Sequence, residues 1–277
     1  MARVLEKHQE VERSIIKKYR KTIWNAFIGA VQEYELIKEN DVIAVCISGG
    51  KDSILMAKCM ELLRRHSEVP FSLKYIVMDP GYTAENRKLI ESNLKLLNID
   101  AEIFESDIFD VAYSAGGSPC YLCARMRRGA LYAKAKSIGC NKIALGHHFD
   151  DVIETLLMSM MYSSEIKTML PKLHSTNFDD MELIRPLYKV KERDIINWSN
   201  YNGLNFLRCA CKFTEDSATD VMLSKRQEMK TLVKNLRKTN PDVDDCIFRS
   251  LHNVNMATIP GWRDSDSGEK HSFIENY

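Results

Sequence analysis

No run of about 18 apolar residues occurs in the 277-residue chain, which argues against a membrane-spanning helix. The opening stretch MARVLEKHQEVERSIIKKYRK is charged throughout and lacks an apolar signal core. The expectation is therefore a cytoplasmic protein with no membrane partner. Neither charge sign dominates: 39 Lys+Arg against 38 Asp+Glu leave a net of +1, so any nucleic-acid surface must be a local patch. Internal repeats and low-complexity linkers are absent. The common phosphate loop G-x-x-x-x-G-K-[ST] is missing too, because Val45 stands at its first glycine and Asp52 at its Ser/Thr. The remaining composition is 45% hydrophobic and 28% charged, that of a globular chain with one large domain or one domain with appendages.

What is present starts at residues 46–65, CISGGKDSILMAKCMELLRR. The apolar run 41–47 reads as a buried strand and 52–65 as a helix, with Lys58 joining the apolar stripe by its stem. A glycine turn between strand and helix is an anion trap, since the first helical N–H groups are unpaired and the dipole favours negative charge. Ser48, Gly49, Gly50, Lys51, Asp52 and Ser53 form that turn, and Lys51 adds a cation, so the expected anion is phosphate.

The rest of the chain alternates. Residues 8–37 read as one long amphipathic helix with a stripe at Ile16, Tyr19, Ile23, Ala26, Ala30 and Val31, ended by Asn40–Asp41. Strands are expected near 42–47, 72–78, 101–104 and 142–146, and helices near 52–65, 84–97, 121–138 and 149–162. Such alternation predicts an α/β fold, a parallel sheet with helices on both faces and ligands at the strands' carboxyl ends. The loop 48–53, MDPGY with Asp79, and GHHFDD with Gly146, His147 and Asp151 should therefore converge as nucleotide contacts. Two short strands are expected within 171–188, then helices at 191–202, 217–237 and 241–251, and a tail, GWRDSDSGEKHSFIENY, without regular structure. The expected domains are a helical segment at 1–40, an ATP-binding α/β domain at 41–205 and a helical segment at 206–277.

Eight cysteines are many for a reducing compartment, where they point to metal or catalysis more than to disulfides. Cys46, Cys59, Cys140 and Cys246 sit in apolar patterns and read as core residues. Cys120 and Cys123, in PCYLCARMRRG, are spaced to share one metal or cluster, and Arg125, Arg127 and Arg128 nearby favour thiolates. RCAC at 208–211 adds one or two more. Four cysteines would make a structural zinc site; three would leave one position of a 4Fe–4S cluster open, and the spacing leaves both readings standing. In LGHHFDDVIETLL, Asp150 and Glu154 share a helix face, where they serve as dipole partners or as Mg²⁺ ligands beside a triphosphate.

SGGKDS, PCYLCARMRRG, LGHHFDDVIETLLM, KTMLPKL, IRPLYKVKERDI and a downstream cysteine motif follow in that order. Over about residues 20–255 this set resembles the tRNA 2-thiocytidine synthetase family of PP-loop ATP pyrophosphatases. The resemblance implies an adenine-nucleotide α-hydrolase-like fold with helical appendages at both ends, ATP with Mg²⁺, and a 4Fe–4S cluster on Cys120, Cys123 and Cys209. The family's last motif is Pro-Cys-x-x-Cys; here Arg208-Cys209-Ala210-Cys211 lacks the proline and brings the second cysteine one residue early, which leaves Cys211 as a rival ligand. Zinc-ribbon ends typical of the thiouridine relatives are absent.

The implied chemistry is adenylylation of a base carbonyl oxygen, with pyrophosphate released onto the 48–53 loop, and replacement of that oxygen by sulfur. Lys51 would neutralise pyrophosphate, Asp52 assists Mg²⁺ or caps the helix, and Asp150 and Arg127 match catalytic positions of the thiouridine relatives. The base would be cytidine 32 of an anticodon loop. The implied partners are tRNA, a sulfide or persulfide donor such as a cysteine desulfurase, and a second copy in a homodimer. Arg125, Arg128, Lys134, Lys167, Lys172 and the basic face of the first helix are candidate phosphate contacts. Rival readings are 2-thiouridine synthesis, another PP-loop adenylating enzyme with structural zinc, and a redox-sensing metal module without catalysis.

Overall fold

A computed structural model describes residues 5–106, 108, 119–207, 221–264 and 267–276, with the backbone alone at 119–124, 221–224 and 276. The chain forms two compact units, Met1–Met229 and Lys230–Tyr277.

The first unit is built on a six-stranded sheet in the order β3-β2-β1-β4-β6-β5. Its strands are β1 (Val42–Ile47), β2 (Ser72–Asp79), β3 (Ala101–Glu105), β4 (Lys142–Ala144), β5 (Lys172–His174) and β6 (Glu182–Ile184). All pairings are parallel except the edge pair β5–β6, which is antiparallel, so the expected parallel sheet carries one reversed edge strand. The reversal follows from chain length: β5 and β6 are joined by a polar turn of seven residues, too short for a parallel crossover.

Strand β1 is apolar along nearly its whole length because both faces are covered. Ile43, Val45 and Ile47 pack into one core with Val11, Phe27, Leu55 and Trp198. Ala44 and Cys46 face the other way, against Tyr132, Ala135 and Cys140. The helices supplying these layers are α1 (Lys7–Ile16), α2 (Asn25–Glu33), α3 (Lys51–His66), α4 (Ala84–Leu96), α5 (Pro119–Ser137), α6 (Phe149–Ser163) and α7 (Glu192–Tyr201).

The N-terminal segment is not one helix over 8–37. A π-helical turn at Arg20–Trp24 separates α1 from α2, with Tyr19 N–H donating to Ser14 O at 2.9 Å and Trp24 N–H to Tyr19 O at 3.3 Å. The extra residue rotates the buried stripe by about 100°. Val11 and Ile15 face inward before the turn, Ile23, Phe27 and Ala30 after it, while Ile16 is only partly covered. The helix also stops at Glu33, since Glu35 adopts φ 47. Lys58 buries more than its stem: its ammonium, in a side chain 2% exposed, pairs with Glu12 at 2.6 Å and donates to Leu97 O at 3.0 Å.

Helix α8 spans Val221–Leu236, and the second unit holds α9 (Val243–Ser250). There Asp244, 1% exposed, pairs with Arg237 at 2.8 Å. Cys246 is exposed, contrary to the core reading, because α9 turns Asp244 and Phe248 inward. The tail is also more ordered than its composition suggests: β7 (Gly261–Arg263) pairs with β8 (Lys270–Ser272), and Trp262 stacks on His271 with centroids 5.0 Å apart. One cross-strand aromatic pair supplies apolar contact that the mean composition of the tail does not reveal. Among the described residues no helix is long and apolar enough to cross a membrane.

Candidate nucleotide site

Strand β1 is flanked by β2 on one side and β4 on the other, so the chain leaves the sheet centre in opposite directions at this point. That switch is where open α/β sheets take ligands. The loop 48–53 follows β1 there, and Gly146–Asp151 follows β4.

The loop is built for close backbone approach. Gly49 adopts φ +81, and a Cβ there would lie 2.7 Å from Ile90 Cγ1. Ser53 Oγ donates to Gly50 O at 3.0 Å and accepts from Ser48 N–H at 3.1 Å, which ties the turn to the first turn of α3. Helix α3 has sixteen residues, and among the described residues no side chain caps its N-terminus. By contrast, Thr83 caps α4 and His148 caps α6. Gly146 lets β4's loop pass beside that open end: its Cβ would stand 3.1 Å from Ser53 N and 3.2 Å from Asp52 C.

Lys51 Nζ sits 3.1 Å from the Asp52 carboxylate and 3.2 Å from Glu192 Oε1. Partial burial works against its charge, but Asp52 and Glu192 outweigh it and raise its pKa above the ordinary lysine value. Asp150, 8% exposed, accepts the Glu192 N–H at 2.7 Å, so the start of α7 orients this carboxylate. Asp151 accepts the His148 N–H at 3.0 Å and pairs with Arg226 at 2.9 Å. Burial disfavours its charge, yet His148, His147 and Arg226 hold its pKa below the usual carboxylate range. His148 Nδ1 accepts from Asp151 N–H at 3.4 Å, and its Nε2 lies 3.8 Å from Asp52 and 4.0 Å from Glu192. Burial pushes the His147 pKa down to about 4, with Asp151 opposing and Arg185 and Arg226 adding to the shift, so this imidazole is neutral at pH 7. Among the described residues its Nδ1 has no hydrogen-bond partner.

A cavity of about 380 Å³ opens here, lined among others by Ser48, Asp52, Ser53, Met78, Arg127, Arg128, Gly146, His147 and Asp151. The 48–53 loop and the GHHFDD stretch meet at this cavity, and of MDPGY it is Met78 that lines it. Asp79, at the end of β2, has its carboxylate committed locally. It accepts from Gly81 and Tyr82 N–H and pairs with Arg87 at 2.6 Å, and these bonds overcome burial to lower its pKa. Cys120 and Cys123 fall in the first turn of α5, the helix that carries Arg127 and Arg128; Cys209 and Cys211 lie outside the described residues. Among the described residues no group of three metal-binding side chains is assembled.

The sequence reading missed three members of this neighbourhood. Glu192 stands in IRPLYKVKERDI, and its partner Lys51 is 141 positions away. Arg226, on α8, reaches Asp151 from 75 positions away. Arg185, 5% exposed, has its pKa lowered to about 10 by burial and by Arg128. Only the quoted motif around Glu192 and Arg185 gave any signal of them.

The fold and this loop define a PP-loop protein: the PP-loop domain family, ATP_bind_3, matches residues 13–218, and the chain belongs to that family. Within it, the chain is 37% identical over 241 residues to the tRNA-cytidine(32) 2-sulfurtransferase of Geobacter metallireducens, covering 86% of this chain and 91% of that protein. It is 32% identical over 260 residues to the enzyme of the same name from Vibrio vulnificus, covering 92% and 81%. The U34-tRNA thiolase NcsA from Methanococcus maripaludis, solved with its [4Fe-4S] cluster, shares the fold at TM-score 0.64 and 22% identity, over 90% of this chain and 78% of that one.

Proposed function

We propose that the chain is an ATP-dependent tRNA thiolase that converts the anticodon-loop cytidine at position 32 to 2-thiocytidine in the cytoplasm. The observation that carries this reading is the N-terminus of α3, without a side-chain cap among the described residues, met by Gly146 at the sheet's switch point, with Arg127 and Arg128 lining the same cavity. The curated relatives named above supply the substrate.

ATP binds with its β- and γ-phosphates on the 48–53 loop, where backbone N–H groups of the first turn of α3 receive them. Mg²⁺ enters with the nucleotide. The cytidine O2 attacks the α-phosphorus, and pyrophosphate leaves toward the loop. Lys51 stays an ammonium and neutralises that charge as it forms, exchanging Asp52 and Glu192 for phosphate oxygens. Arg127, which lines the same cavity, stabilises the adenylylated base. Asp150, fixed by the Glu192 N–H, orients the attacking nucleotide. Sulfur delivered as inorganic sulfide (HS⁻) then bonds to C2, its proton passes to solvent, and AMP departs with the former carbonyl oxygen. The target base must be splayed from its stack to enter, as single-stranded loop bases can be.

The described part of the donor set fits a 4Fe–4S cluster. Cys120 and Cys123 lie three residues apart in one helical turn, next to the arginine wall. They and Cys209, with Cys211 as rival, would hold it, and its chemistry when bound is sulfur delivery. A homodimer is part of the same proposal.

The test is nucleoside analysis of unmodified tRNA incubated anaerobically with the chain, ATP, Mg²⁺ and sulfide. New 2-thiocytidine supports the reading. 2-Thiouridine in its place would keep the mechanism and change the base, and no thionucleoside at all would sink both.

A further inference from the structure

From residue 13 to residue 32 the chain contains no Asp or Glu, yet it carries Arg13, Lys17, Lys18, Arg20 and Lys21. All five are exposed. Elsewhere several cations are matched, among them Lys134 with Glu102, Lys142 with Asp41 and Glu182, Lys172 with Glu35 and Lys189 with Glu33. None of the five has a carboxylate partner among the described residues. Lys18 instead rests its ammonium 3.4 Å from the centre of the Tyr201 ring, a contact that leaves the charge unneutralised.

The position of this segment gives the patch a direction. It runs antiparallel to α7. Asn202 Nδ2 donates to Ser14 Oγ at 3.1 Å, Tyr19 OH donates to Asn197 O at 2.9 Å, and the Thr22 hydroxyl bonds the Asp194 carboxyl. The Lys21 end thus lies level with the first turn of α7. That is the turn whose Glu192 holds Lys51 and Asp150 at the nucleotide site. The cations from Arg13 to Lys21 extend about 12 Å along the helical axis, and the row ends at the sheet edge where the chemistry is placed.

We propose that this face of α1 and the π turn is a docking surface for the sugar–phosphate backbone of the RNA substrate. It rests on the thiolation reading. Phosphodiesters carry the charge that matches unpaired lysine and arginine, and contacts of this kind position a substrate without reading its sequence. The row delivers the anticodon arm along α7 toward the cavity, while the arginines of α5 meet the target nucleotide.

The test measures binding of an unmodified tRNA transcript with cytidine at position 32 to the full chain, by fluorescence anisotropy across about 50–200 mM salt. Lys17→Glu combined with Lys21→Glu is compared with Lys88→Glu combined with Lys95→Glu on α4, the same change in net charge on another face. The first pair should weaken binding by about tenfold or more and lower the slope of log K against log salt by about two. The α4 pair should stay within about twofold of the parent. ATP affinity and melting temperature should be unchanged in both. Equal losses in the two pairs would reduce the effect to net charge and overturn the docking surface, as would unchanged binding in the first pair. If the parent chain itself binds no tRNA, the thiolation reading falls and this surface with it.

Discussion

Gly146→Ala tests the nucleotide site at its tightest point. The added Cβ would lie 3.1 Å from Ser53 N, 3.2 Å from Asp52 C and 3.2 Å from Ser53 Cα, all backbone atoms. An ordinary non-bonded contact is about 3.5–4.0 Å, so one side must retreat by about 0.3–0.5 Å. The α3 side is held by the Ser53 hydroxyl, bonded both to Gly50 O and to Ser48 N–H, so the strain falls on both loops. Overpacking of this kind costs about 1–3 kcal/mol, which lowers the melting temperature by about 2–4 °C per kcal/mol in a domain of this size. The same displacement moves the N–H groups proposed to receive phosphate; since a misplacement of about 1 Å can cost about 10²-fold, a shift of this size should reduce turnover by up to about tenfold. ATP affinity by calorimetry, the thermal melt and tRNA-dependent pyrophosphate release are the assays. Gly29→Ala is the matched control: nothing lies within 4 Å of its added Cβ, and in the middle of α2 it should stabilise by about 0.4–1 kcal/mol without touching ATP binding. If Gly146→Ala bound ATP and turned over like the parent, the close approach would have no part in catalysis.

Lys51→Ala should lower ATP-dependent turnover by about 10²–10³ with little change in melting temperature, since the loop adds little to the core; parental turnover would remove Lys51 from the chemistry. Glu12→Gln leaves Lys58 charged and buried with one carboxylate fewer, and should cost about 3–5 kcal/mol at pH 7 by denaturant unfolding. Burial raises the Glu12 pKa, but Lys58 and Arg65 more than reverse this and hold it below the usual value. Its contribution is therefore complete above the unfolded-state pKa of about 4.3 and is lost as pH falls through the lower folded value. The gap between variant and parent should accordingly narrow below about pH 4, and a gap constant from pH 7 to pH 3 would contradict the ion-pair account. After anaerobic reconstitution, Cys120→Ala, Cys123→Ala and Cys209→Ala should each lose the brown chromophore and about four irons per chain, while Cys211→Ala keeps both. Colour lost in Cys211→Ala and kept in Cys209→Ala would exchange the two ligands, and a colourless parent with bound zinc would replace the cluster by a structural site.

The sequence by itself determined the α/β alternation and the strand–glycine turn–helix of the 48–53 loop. The apolar run at 42–47, the helical period after it and the two glycines between them are local patterns, and the backbone obeys local patterns within a few residues. The order of motifs likewise determined the family before any coordinate did. Tertiary structure decided what depends on long-range packing. Glu192 and Arg226 reach the site across 141 and 75 residues, because the sheet order sets β1 beside β4 and packs α7 against α3. No periodicity reports such a meeting. The π turn was equally hidden: its residues are ordinary helix formers, and only the demand that Ile15 and Phe27 reach the same core selects one extra residue in the turn. The exposure of Cys246 follows from the same cause, since an apolar neighbourhood in sequence becomes a buried one only when another element packs over that face.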